Sequence, residues 1–213
     1  LGVTVLTVGA FRTIFAAVLL WAAVLLFARH TIRTSKPAVL SSMLAGGING
    51  IGSLFYYASL SRIYASLGQW LTFFRTGLAV FAMYLLTVGG LGEPDWIGVS
   101  MMLIAALTYA IQLVLSQRIM YDVPAPTMTL YAITAMAVVV SGAWLLFPSD
   151  LTAVSTTGWQ VIFFMGLTTA LSRLTLFLGV KSLGSMQTAL LGLLEVIVSI
   201  VLAILLLNEQ LTA

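Results

Sequence analysis

The run Ser182–Thr212, SLGSMQTALLGLLEVIVSIVLAILLLNEQLT, decides how the whole chain is read. Its apolar part, Leu183 to Leu207, is about long enough to cross a bilayer hydrocarbon core at roughly 1.5 Å per helical residue. One ionisable side chain, Glu195, lies near its middle. A carboxylate at that depth costs roughly 2.5 to 3.5 kcal/mol on insertion scales, so Glu195 is expected to face protein or a water-filled cavity rather than lipid.

Working outward, the composition extends this reading to all 213 residues: 61% are hydrophobic, 7% are charged, and the mean hydropathy is +1.13. A soluble domain carries roughly 25% charged residues, and so few charges could not cover its surface. The expected class is an all-α polytopic membrane protein. The net charge of +3 comes from basic residues scattered at helix ends rather than from a patch or stripe, which argues against nucleic acid as a partner. Without cysteine there is no disulfide or thiolate site, and a lone histidine makes a metal centre improbable, so no cofactor is expected.

Taken in order, the chain shows about seven apolar runs of spanning length. The first, Val3 to Phe27, ends in RHTIRTSK at 29–36, where three basic and no acidic side chains mark a cytoplasmic loop. The second, Pro37 to Leu60, holds Gly46, Gly47, Asn49, Gly50 and Gly52. Close helix packing is the plainer use of such glycines, and bending around a cavity the alternative. Residues 64–90 are too long for one tidy span and too short for two. Runs then follow at Trp96 to Gln117, Met128 to Phe147 and Trp159 to Val180, and the chain turns at Lys181 into the seventh. No stretch alternates with the period of a barrel strand, so the spans are helices.

Several segments together resemble the EamA-type transporters of the drug/metabolite superfamily. They are SLSRIYASLGQ at 59–69, KSLGSMQTALL at 181–191 running on through LLEVIVSI to LLLNEQLT, AFRTIFAAVLL at 10–20 and GVSMMLIAALTYAIQLVLSQR at 98–118. Val196 stands where the family pattern has proline. The resemblance implies a ten-helix fold of two inverted five-helix repeats with a substrate site between them near the midplane. Its flavour is that of amino-acid exporters of the YddG kind. On this reading residues 1–90 form a partial N-terminal repeat lacking helices one and four, and residues 91–213 a partial C-terminal repeat lacking helix ten. The implied function is export of small metabolites, amino acids first, across an inner membrane by alternating access, with proton coupling an option and a monomer or homodimer in the bilayer. Nucleotide sugars and drugs are the alternative substrate classes. An embedded enzyme is disfavoured, because no HExxH, paired-Asp, GxSxG or metal-ligand pattern is present. A receptor is disfavoured because Lys181 falls in a turn rather than in the last helix.

The polar residues within spans are the candidate substrate ligands: Asn49, Tyr57, Tyr109, Gln112, Gln187 and Glu195. Interhelical hydrogen bonding, worth about 0.6 kcal/mol on average, explains the uncharged ones nearly as well. Arg173 and Glu195 lie at depths that differ by roughly 6 Å and are expected to pair. Trp21, Trp144 and Trp159 fall near span ends, where an interfacial belt accounts for them. Counting charges across the membrane gives one further expectation. A single span over 64–90 would put Arg118 and Lys181 outside, whereas one more crossing, absent between Gln69 and Trp70, would put both inside with Arg29, Arg33 and Lys36.

Overall fold

The computed structural model describes residues 4–27, 29, 32, 34–60, 96–148, 151, 154–192 and 194. They form five helices of membrane-spanning length and hydropathy: α1 (Val5–Phe27), α2 (Lys36–Leu60), α3 (Trp96–Ile119), α4 (Ala125–Leu146) and α5 (Thr156–Leu183). A shorter helical stretch follows at 185–192. Five of the expected spans are therefore helices at the expected places. The 64–90 run and Glu195 onward lie outside the described residues, as does the expected break between Gln69 and Trp70.

Local chemistry sets the helix ends. Pro124 precedes α4 in extended conformation, and a second proline occupies its first turn, where the missing N–H breaks no helical bond. Ser155 caps α5 by accepting the Gly158 amide at 3.1 Å. Gly184, at φ 87°, stops α5 with its amide on the Val180 carbonyl, and only glycine adopts that backbone without strain. Within the spans, Thr13, Ser42, Ser53, Thr129, Thr134 and Thr175 return their hydroxyls to carbonyls one turn back. That disposes of a donor which lipid could not satisfy.

The helices are apolar on every face, so the core is marked by size and polarity instead of by a hydrophobic stripe. Leu40, Leu107, Val138, Phe164 and Leu171 point outward, while Thr7, Thr13, Asn49, Gln112 and Ser116 are buried. Packing is mostly between helices that are not sequence neighbours. α2 lies between α3 and α4, and α1 lies against α4 and α5. The α2–α4 contact is made by glycine. A Cβ on Gly46 would collide with the Ala132 backbone, and one on Gly50 would come within 2.9 Å of Val139. On the α3 side Gly52 abuts Thr108, while Gly47 faces open space. Thus three of the four glycines serve close helix approach, as the plainer sequence reading held, and α2 continues unbroken through them rather than unwinding.

The contacts also fix direction. Gly46 meets Ala132 and Gly50 meets Val139, so α2 and α4 run parallel. Gly52 meets Thr108 and Ser59 meets Met102, so α2 and α3 run antiparallel. Leu60 and Trp96 therefore lie at one end of the bundle. At the other end the Tyr131 hydroxyl donates to the Ile32 carbonyl at 3.1 Å, and the Lys181 ammonium to the Val123 carbonyl at 3.2 Å. Arg29, Lys36, Arg118 and Lys181 accordingly share one face, the arrangement that the positive-inside rule requires of a cytoplasmic side. Because the chain has no cysteine, this is directly testable. Single cysteines at the exposed positions Ser35, Tyr121 and Ser182 are expected to react with an impermeant maleimide from the cytoplasmic side, and one at Phe147 from the opposite side. Labelling of Ser35 and Ser182 from different sides would break the topology.

Candidate substrate site

Two groups of polar side chains lie inside the bundle. The first is in the half nearer the outer ends of α1, α2 and α4. Seven residues into α1, roughly 10 Å from its start, stands Arg12. Its Nη2 donates to the Tyr57 hydroxyl at 2.8 Å, and its guanidinium carbon lies 5.9 Å from the centroid of the Tyr57 ring. Tyr57 is 6% exposed because α1 has a glycine at position 9, against which the ring rests. It packs with Ala10, Met136 and Val140, flanked by Trp144. Asn49, 5% exposed and two turns below Tyr57 on α2, donates its amide to the Met136 sulfur at 3.3 Å. Met136 thereby joins Asn49 to the Tyr57 cluster.

Aromatic rings close this end. Phe11 makes edge contacts with Trp144 at 5.3 Å and with Trp159 at 4.9 Å, and Trp144 donates its indole N–H to the Thr7 hydroxyl at 3.2 Å. Trp21, nearer the cytoplasmic end, donates to Thr134 at 3.0 Å. All three tryptophans expected in an interfacial belt are turned toward neighbouring helices. A half-buried indole inside a bundle gains a hydrogen-bond partner and edge-to-face contacts together.

The second group lies along α3. The Arg173 guanidinium of α5 sits 5.5 Å from the centroid of the Tyr109 ring. A cation near an aromatic face is attracted by the ring quadrupole. Its expected partner Glu195 lies outside the described residues, so the pairing is untouched by this contact. Gln112 and Ser116 follow on the buried face of α3, and the Ser116 hydroxyl has no hydrogen-bond partner among the described residues. At the cytoplasmic end Gln117 accepts from the Ser185 amide at 3.0 Å and also bonds the Ser185 hydroxyl. This ties α3 to the 185–192 stretch. Gln187 is exposed on that stretch, at the opposite end of the bundle from Tyr57.

Of the expected ligands, then, the structure gathers Asn49 with Tyr57 and sets Tyr109 and Gln112 together on α3. Gln187 stands apart, and Glu195 is not described. Arg12 is the residue that sequence reasoning passed over. It lies within the apolar segment AFRTIFAAVLL at 10–20, and a lone arginine inside a span is itself a reason to suspect function.

Membrane-crossing helices with leucine outside, and with a half-buried arginine beside a buried tyrosine and asparagine inside, define a multi-pass membrane protein built around polar intramembrane side chains. The family model of the EamA-like transporter family matches residues 96–213, more than half of the chain, and the chain belongs to that family. It is a family of membrane transporters of small molecules, and the assignment agrees with the resemblance read from the sequence. The match begins at Trp96, so the similarity seen in residues 1–90 stands outside it. No curated protein was found to match the chain.

Proposed function

We propose that this transporter is a secondary carrier that exports amino acids across an inner membrane by alternating access, without covalent chemistry on its substrate. The observation that carries the reading is the Asn49–Met136–Tyr57–Arg12 cluster, which offers hydrogen-bond donors and a positive charge at membrane depth beside apolar and aromatic surface. An amino acid has the matching parts. A cationic drug is the poorer fit, since it would bring like charge to an arginine that has no neighbouring carboxylate among the described residues. The proposed architecture is two inverted repeats of five helices, with residues 1–90 and 91–213 belonging to different repeats. Glu195 is the group proposed to couple transport to protons, and the working unit is a monomer or homodimer.

Uptake by proteoliposomes from a panel of amino acids, nucleotide sugars and cationic drugs tests the substrate class. Saturable, mutually competitive uptake of amino acids is expected. In the same assay Asn49→Ala is expected to raise KM by roughly fivefold to tenfold, the cost of one buried hydrogen bond to substrate, with the protein still monodisperse. Uptake confined to nucleotide sugars or drugs would refute the proposed substrate class.

A further inference from the structure

The hydrogen-bond inventory around Arg12 does not close. Its Nη2 is used by the Tyr57 hydroxyl, yet its Nε–H is fully buried with no acceptor among the described residues. The Tyr57 oxygen, having accepted from Arg12, must turn its own hydrogen elsewhere, and no acceptor receives it among the described residues. Buried N–H and O–H donors are almost always satisfied, so two orphans side by side mark a place where an acceptor is to come. The charge is open as well. Among the described residues the one carboxylate is that of Asp122, which is in the α3–α4 turn at the cytoplasmic end and not within ion-pairing distance of Arg12.

From this geometry we propose that Arg12 and Tyr57 form the point at which the carboxylate of the substrate is bound. The proposal rests on the amino-acid reading above and specifies how that substrate is recognised. A carboxylate is acceptor-only, bears one negative charge, and matches the flat guanidinium edge with two oxygens. One arginine and one phenol supply a single positive charge. That suits a monocarboxylate and leaves a dianionic phosphate half neutralised. The surroundings keep the site selective. Gly9 and Ala10 let the Tyr57 ring approach α1, and Met136 and Trp144 present apolar surface without a second cation. Tyr57 holds the guanidinium through its ring as well as its hydroxyl, so Arg12 is presented to the ligand already oriented.

The test compares an amino acid with its own amide, which keeps size and shape and removes the anion. The full chain is reconstituted in phosphatidylcholine vesicles and supplied with L-leucine or L-leucinamide. If another panel amino acid is carried better, that amino acid and its amide are used. Wild type is expected to prefer the acid in kcat/KM by about tenfold or more, as loss of a charge-assisted bidentate contact requires. Arg12→Gln should bring the ratio close to one, Arg12→Lys should retain part of it, and Tyr57→Phe should lower it severalfold. If Arg12→Gln fails to give monodisperse protein, Tyr57→Phe, which preserves the ring on Gly9, decides the matter. Equal transport of acid and amide by wild type overturns the proposal while leaving the carrier function standing. A ratio unchanged in Arg12→Gln, or in Tyr57→Phe where that variant decides, also overturns it. So does a preference that appears only when phosphatidylglycerol is added, which would assign the guanidinium to lipid headgroups. A wild type that moves no amino acid removes the function first and this proposal with it.

Discussion

Gly46→Ala is expected to lower the melting temperature of the purified protein by roughly 6 to 12 °C, the shift that about 3 kcal/mol produces in a chain of this size. The added methyl would fall on the carbonyl, Cα and carbonyl carbon of Ala132. Those are backbone atoms of α4, which cannot swing aside as a side chain can, so relief requires α2 and α4 to separate. Separation would loosen contacts along the whole parallel pair, because membrane helices associate through packing rather than through a hydrophobic drive between them. The control lies next to it in sequence. Gly47 has no atom within 4 Å of a built Cβ, and Gly47→Ala should leave stability unchanged or raise it by up to about 1 kcal/mol through helix propensity. Equal melting temperatures for the two variants, measured by intrinsic fluorescence, would remove glycine-mediated approach as the basis of the α2–α4 interface.

The second large effect is on transport. Gly9→Ala is expected to reduce the initial rate of amino-acid uptake by about tenfold or more while sparing the fold, since the obstruction is a side chain. A Cβ on residue 9 would lie 2.5 Å from the Tyr57 Cζ and 2.9 Å from its hydroxyl oxygen. The ring must shift, and with it goes the 2.8 Å bond that orients Arg12. A bond of that length and geometry tolerates only a few tenths of an ångström before it weakens. Tyr57→Phe loses the hydroxyl but keeps the ring, so Gly9→Ala should be the more damaging of the two. Full activity in Gly9→Ala would show that the placement of Tyr57 against α1 does not matter to the transport cycle.

How far the sequence foretold this arrangement differs from element to element. α1 to α5 were legible because a bilayer demands about twenty apolar residues per crossing, and no soluble fold competes for such runs. Their ends were displaced by a few residues where cap chemistry overrides hydropathy. α5 begins before Trp159 because Ser155 caps it, and it runs past Val180 until Gly184 stops it. α4 begins before Met128 because the proline-containing stretch is itself its first turn. The pairing of α2 with α4 and of α1 with α5 was not legible. A helix that is apolar all round carries no stripe to show which side meets protein, and only the glycines of α2 hinted at a face. In the candidate site, Asn49 and Tyr57 were legible as polar atoms that lipid could not satisfy. Arg12 was equally visible as a charge but was masked by the apolar run around it, and its tie to Tyr57 depends on an α1–α2 approach that no spacing reveals. Gln187 stands apart for a related reason. Proximity to Gly184 holds it at the cytoplasmic end, where Gln117 anchors the stretch.

Counterflow tests the central claim, that this bundle is an alternating-access carrier of amino acids, most directly. Vesicles containing the full chain are preloaded with millimolar unlabelled substrate and diluted into a trace of the same amino acid in labelled form, with no ion gradient. The label is expected to rise transiently above its equilibrium level inside and then decay, because a site that faces one side at a time exchanges internal for external substrate. A label that climbs to equilibrium without overshoot, or that enters no faster than into protein-free vesicles for every amino acid tried, would contradict it.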